Sequence, residues 1–123
     1  MPHLLLVEDD PLLLFAVSSL LEDRGHAVHA APDAEAALAI LARVPCVGAV
    51  VTDVDLGPGG ADGVALAEQA LGAGHPGLRG VVYATGHAER LAARPLGPRE
   101  AVLAKPYTAD ALLAAVASLP PPS

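Results

Sequence analysis

Glu8, Asp9 and Asp10 stand in a row near the start of the chain, Asp53 and Asp55 form an Asp-x-Asp pair, and Thr85 and Lys105 follow at wide intervals. These residue types could do chemistry together. Two unit charges ~4 Å apart repel by about 4 kcal/mol at an effective dielectric of 20, so crowded carboxylates either hold protons or surround a cation. One or two carboxylates completed by water suit Mg²⁺, which keeps several waters and bridges readily to phosphate. An ammonium facing the same cleft offers a point charge to a phosphoryl oxygen, and a hydroxyl can donate to another. Asp53 is then the natural nucleophile, forming an aspartyl phosphate. Its developing charge would lie between the cation, Lys105 and Thr85, the electrostatic arrangement that phosphoryl transfer needs.

Such a site requires elements that deliver all these residues to one place. His3 to Val7 is a short, continuous apolar run, the pattern of a strand buried on both faces. Similar strands are predicted over 27–31, 47–52, 80–84 and 101–104. Between them lie helical patterns. Asp10-Pro11 offers a cap and a first-turn proline ahead of Leu13, Val17, Leu20 and Leu21 at helical spacing, with Gly25 as the stop. Asp33 can cap a helix bearing Ala34, Ala37, Leu38 and Leu41. Val64, Ala67 and Leu71 mark a third helix. Thr108 can cap the last, with Leu112, Val116 and Leu119 facing inward. The stretch from His87 to Pro98 is broken by Pro95, Gly97 and Pro98, so a fourth helix there should be short or irregular.

Strand and helix alternate five times. That predicts an α/β fold with a doubly wound, five-stranded parallel sheet, right-handed crossovers and strand order 2-1-3-4-5. In this architecture each candidate residue follows a strand and reaches the carboxyl edge of the sheet, with the crevice between the first and third strands. The expected organisation is one domain over residues 1–119 and a Pro-rich tail or linker over 120–123.

Composition narrows the function. The net charge of -7 argues against a nucleic-acid partner, which calls for a Lys/Arg face. No apolar run approaches the ~18 residues of a membrane span, and no signal peptide is visible. With a single cysteine, Cys46, no internal disulfide can form, which suits a reducing compartment, so the expected location is cytoplasmic.

The segments LLLVEDD, VVTDVDL, ATG and AKPY, in this order and each after a predicted strand, resemble the receiver domain of two-component response regulators over essentially the whole chain. The resemblance implies a flavodoxin-like receiver fold. It implies a signalling switch that accepts a phosphoryl group on Asp53 from a histidine kinase or histidine phosphotransfer protein and then changes its binding of a downstream protein. Such a domain is not an enzyme beyond catalysing its own phosphorylation and dephosphorylation. Carried over by position, Asp9 would bind Mg²⁺ directly and Glu8 through water, with Asp53 and the backbone carbonyl of Asp55 completing the protein's share. Asp10 would be the third acid and not a ligand. Thr85 matches the hydroxyl switch residue and Lys105 the family's lysine, followed by a cis bond to Pro106. The sequence departs from the usual pattern in the loop DVDLGPGGADG, which is longer and carries Leu56 where methionine is usual, like a recognised subset of receivers. It departs again at Val102, where an aromatic ring often couples the switch to the output face.

Other residues read as bland. His26 and His29 are spaced like a metal pair, but positions three apart on a strand face opposite ways. His3 and His75 are expected in solvent, and Cys46 as a small buried hydrophobe. His87, two residues after Thr85, matches a position that tunes phosphate lifetime in the family, as does Asp55. Two alternatives compete: a phosphohydrolase of the haloacid-dehalogenase kind, whose DxD stands on its first strand, and a receiver-like module that works without phosphorylation. A dinucleotide-binding fold is disfavoured because no GxGxxG follows the first strand.

Overall fold

A computed structural model describes residues 3–54, 63–73, 75–85 and 97–121. The apolar run His3–Val7 is β1, followed by α1 (Pro11–Asp23), β2 (Val28–Ala31), α2 (Ala34–Arg43), β3 (Val47–Asp53), α3 (Gly63–Gly72), β4 (Gly80–Thr85), β5 (Glu100–Ala104) and α4 (Ala109–Ala117). The five strands form one sheet in the order β2-β1-β3-β4-β5, every pair parallel, as the alternation predicts. The expected short or irregular fourth helix, with His87, and Asp55 and Leu56 of the long loop lie outside the described residues.

Side-chain alternation divides the core into two layers. Leu5, Val7, Val50, Val81 and Tyr83 project from one face and are covered by Ala37 of α2 and by Leu66, Ala67 and Ala70 of α3. Leu4, Leu6, Ala49, Val51 and Val82 project from the other, against Val17 and Leu21 of α1 and Leu112 and Val116 of α4. With both faces covered, the strands are free to be apolar throughout. Each fully buried leucine stabilises the fold by about 1.5–3 kcal/mol. α1 is apolar almost all round, and only part of it turns inward: Val17 and Leu21 are buried, while Leu12, Phe15 and Leu20 are exposed. Leu20 therefore departs from the expected inward stripe, because Val17 and Leu21, a turn apart, already fill the contact with the sheet.

Local signals place the helices. The Asp10 carboxylate accepts from Leu12 N at 3.0 Å and Leu13 N at 3.3 Å, with Pro11 opening the first turn. Asp33 accepts from Ala36 N at 2.8 Å, and Thr108 from Ala111 N at 3.0 Å. At the end of α1, Gly25 has φ 87°. Its N–H bonds Glu22 O at 2.9 Å, and that of His26 bonds Leu21 O at 3.2 Å. This is a Schellman stop, in which the left-handed residue favours glycine. At the far end of the chain, Arg79 donates to the carbonyls of Leu119 (2.6 Å) and Pro120 (3.2 Å), so the start of the Pro-rich segment is held against the sheet.

Three expectations are corrected. Cys46 is exposed, not buried, because it sits just before β3, outside the covered sheet. His3 is half-buried and touches His29 and Cys46. His75 is half-buried too, its Nε2 lying 2.9 Å from Val44 O after α2. Neither histidine is simply solvated, since the turn segments at the amino edge of the sheet fold against the ends of β1 and α2.

Candidate functional site at the carboxyl edge of the sheet

Because all five strands run the same way, their carboxyl ends share one edge. Glu8 and Asp9 follow β1, Asp53 ends β3, Thr85 ends β4 and Lys105 follows β5. Oxygens of Glu8, Asp9 and Asp53 all lie within 4.8 Å of one another. Lys105 Nζ stands 2.8 Å from Asp53 Oδ2 and 3.2 Å from Glu8 Oε2, so it bridges the two carboxylates. Lys105 is itself set by the sheet: its backbone N–H donates to Thr85 O at 2.9 Å, and Thr85 stands opposite Ala104 in the register of β4 and β5.

The three acids sit at different depths. Glu8 is buried, Asp53 is half-buried and Asp9 is exposed. Burial pushes the Glu8 carboxyl above its usual range, held back by the hydrogen bond from Asp10 N (3.1 Å) and by the Lys105 charge. For Lys105, burial favours loss of the proton, but the hydrogen bond to Asp53 and the charges of Glu8 and Asp53 outweigh it, and its pKa is raised. The lysine is a firmly held cation against an acidic cluster. The Thr85 hydroxyl belongs to a buried residue at the same edge. Beside it, Leu13, Val17, Pro106 and Tyr107 line an apolar hollow that reaches Lys105. Burial also raises the Tyr107 phenol.

The backbone leaves little slack around Asp53. Gly63 N donates to Val54 O at 2.8 Å, and a Cβ on Gly63 would stand 2.0 Å from the Asp53 carbonyl oxygen. Only glycine allows the start of α3 to pack this closely on the end of β3. The Thr52 hydroxyl donates to the same Asp53 carbonyl at 2.9 Å. The Lys105–Pro106 bond is cis, as the family resemblance leads one to expect. The structure thus brings together Glu8, Asp9, Asp53 and Lys105, with Thr85 at the same edge. The Asp55 carbonyl lies outside the described residues, and Asp10 serves as the cap of α1.

Sequence reasoning missed one feature nearby. Val102 carries no ring, but its register partner on β4 is Tyr83, fully buried two residues before Thr85 and on the same face of its strand. The Tyr83 hydroxyl donates to Glu100 Oε2, and Glu100 Oε1 accepts from Gly97 N at 2.9 Å. The signal was the tyrosine in GVVYAT, which an apolar-run reading absorbs as core.

A doubly wound α/β sheet with an acid cluster and a bridging lysine at its carboxyl edge defines a class of small domain built to handle a charged group there. Comparison with known proteins makes the class specific. The family model for the response regulator receiver domain matches residues 4–117, and the chain belongs to that family. A response regulator receiver protein from Sinorhizobium medicae WSM419 is 30% identical, with a TM-score of 0.78 over 94% of this chain and 91% of that chain. The signal receiver domain of an HD domain-containing protein from Pseudomonas fluorescens Pf-5 is 28% identical, with a TM-score of 0.77 over 96% of this chain and 93% of that one. The receiver domain of the hybrid histidine kinase CckA is 26% identical, with a TM-score of 0.73 and coverage of 94% and 95%. No curated protein matches. Among the described residues, no helix is long and apolar enough to cross a membrane.

Proposed function

We propose that this receiver domain is a phosphorylation-activated switch of a two-component phosphorelay, with Asp53 as the phosphoacceptor. The observation that carries this reading is the geometry at Asp53: a half-buried carboxylate at a strand end, bonded to Lys105 Nζ at 2.8 Å and crowded by Glu8 and Asp9. The donor set is oxygen only and strongly acidic, which fits Mg²⁺. Glu8, Asp9 and Asp53 would hold the ion, with the Asp55 carbonyl as a further donor. Bound there, Mg²⁺ would offset the negative charge that otherwise repels an incoming phosphoryl group.

In the proposed transfer, an Asp53 carboxylate oxygen attacks the phosphorus of a phosphohistidine on a histidine kinase or histidine phosphotransfer protein. The P–N bond breaks, and its electron pair leaves with the imidazole, which takes up a proton. Lys105 keeps the attacking carboxylate in place and faces the charge that builds on the phosphoryl oxygens. Thr85 supplies a hydroxyl that can bond a phosphoryl oxygen of the product, a charge-assisted contact made only after transfer. The change in partner binding would start from that new bond. Hydrolysis of the acyl phosphate resets the switch, and the domain acts on no other substrate. The proposed setting is the cytoplasm.

Incubation with acetyl phosphate and Mg²⁺ tests the reading. The expected product carries one acid-stable, base-labile phosphoryl group. Asp53→Asn should remain folded by circular dichroism and take up none. Undiminished labelling of Asp53→Asn would overturn the assignment.

A further inference from the structure

Beside the acid cluster lies a hollow that the phosphotransfer chemistry above does not use. Leu13 and Val17 of α1 form one wall, and Lys105, Pro106 and Tyr107, which follow β5, form the other. Its volume is about 320 Å³. Apart from Lys105 the lining is aliphatic or aromatic. Lys105 Nζ stands 2.8 Å from Asp53 Oδ2, so one side chain borders both the hollow and the phosphoacceptor.

The fold builds this hollow from two directions. α1 starts soon after β1, and the segment from Lys105 to Tyr107 follows β5, so both open on the carboxyl edge. Val17 is buried in the core layer beneath, and Leu13 and Tyr107 pack against that layer while staying half-buried. Burial raises the Tyr107 phenol, so its hydroxyl stays uncharged at neutral pH, and the ammonium is the one charge among these lining residues. An apolar lining with a single cation suits a ligand with an apolar body and an anionic head.

Size and electrostatics narrow the ligand. An aliphatic cavity of about 150 Å³ admits benzene, so this hollow has room for a ring or a short alkyl chain. A carboxylate head would meet the charges of Glu8, Asp9 and Asp53 and gain no chemistry there, whereas a phosphoryl head can react with Asp53 and face the Lys105 ammonium. At so acidic an edge a phosphate dianion is held weakly by charge alone. Apolar area on the rest of the molecule supplies the affinity that the head lacks.

We propose that the hollow is a subsite for the acyl group of small acyl phosphates, and that the domain takes its phosphoryl group directly from those whose chain is longer than acetyl. This rests on Asp53 being the phosphoacceptor. The reaction is the same self-phosphorylation with a different donor. An Asp53 oxygen attacks phosphorus, the bond from phosphorus to the acyl oxygen breaks, and its electron pair leaves with the carboxylate. The hollow covers the chain equally before and during transfer, so it lowers the donor concentration needed and leaves the saturated rate alone.

Butyryl phosphate set against acetyl phosphate, each with Mg²⁺ and followed by intact-mass time courses, tests the subsite. The two leaving carboxylates are of nearly equal basicity, so the donors match in intrinsic reactivity. Each further buried methylene strengthens binding about fourfold. With two more methylenes, the half-saturating concentration of butyryl phosphate should be on the order of 10-fold lower. Leu13→Asn and Tyr107→Asn, each checked as folded by circular dichroism, should bring the ratio between the donors towards one. Equal half-saturation by the two donors in wild type, or an undiminished ratio in both variants, would overturn the proposal and leave the hollow to a side chain of a protein donor. That result, with acetyl phosphate still labelling Asp53, would leave Asp53 as the phosphoacceptor; labelling that survives Asp53→Asn would remove both.

Discussion

The two edges of this sheet hold polar clusters of opposite character. At the carboxyl edge, Glu8, Asp9 and Asp53 crowd together with Lys105 bridging two of them. At the amino edge, His3 contacts His29 and Cys46, with no carboxylate in either contact. One set is hard, charged and anchored on strand ends whose backbone is fixed by close packing, down to the absent Cβ of Gly63. The other is softer, built from imidazole and thiol groups, and includes an exposed side chain. The difference teaches that a parallel sheet sorts chemistry by direction. Residues that follow strands are gathered at one edge whatever their sequence separation, whereas those at or just before strand starts, such as His3, His29 and Cys46, touch only if register allows.

The largest expected effect separates the edges outright. Lys105→Met should lower the rate of phosphorylation by acetyl phosphate by about 10²-fold or more, the scale of losing one preorganised charge-stabilising donor. Mg²⁺ affinity should be retained, because the lysine cation repels the ion. Rates from intact-mass time courses, beside Mg²⁺ titration by NMR, give both quantities. A rate within a few-fold of wild type would remove Lys105 from the proposed chemistry.

A smaller effect sharpens the electrostatic account. Glu8 has a raised folded pKa, mainly from burial, so the folded chain binds this proton more tightly than the unfolded chain. The stability linked to Glu8 is therefore complete below the ordinary value of 4.5 and declines as pH rises through the window above it. Urea midpoints measured without Mg²⁺ from acid to neutral pH should fall less in Glu8→Gln than in wild type. Identical slopes would show that burial of this carboxyl carries no such cost.

The smallest effect concerns an acid that belongs to the motif but not to the proposed metal set. Asp10→Ala should cost about 1 kcal/mol, typical for a lost helix cap, seen as a lower urea midpoint. Mg²⁺ affinity should hardly change. A large loss of Mg²⁺ binding with stability intact would make Asp10 a ligand and not a cap.

Much of this was legible in the sequence, for reasons that also set the limit. The strands announce themselves as short apolar runs because both faces are covered, and the alternation with helices points to a parallel doubly wound sheet, for which 2-1-3-4-5 is a common order. Glu8, Asp9, Asp53, Thr85 and Lys105 could be placed because each follows a strand. What could not be read depends on register and on which side of an apolar helix turns inward. In PLLLFAVSSLLED nearly every face is apolar, so the exposure of Leu12, Phe15 and Leu20 is decided by packing alone. The pairing of Tyr83 with Val102, and the approach of His29 and Cys46 to His3, follow from strand register. For β1 and β3 that register shifts between His3 and Leu4.

The central claim is that the phosphoryl group goes to one carboxylate, Asp53. Borohydride reduces an acyl phosphate and leaves free carboxylates untouched, so it marks the acceptor itself. The protein is phosphorylated with acetyl phosphate and Mg²⁺, reduced, digested and sequenced by mass spectrometry. The account predicts that position 53 is converted to homoserine, with the other acids, including Glu8, Asp9 and Asp55, unchanged. Conversion at another acid with Asp53 intact would contradict it.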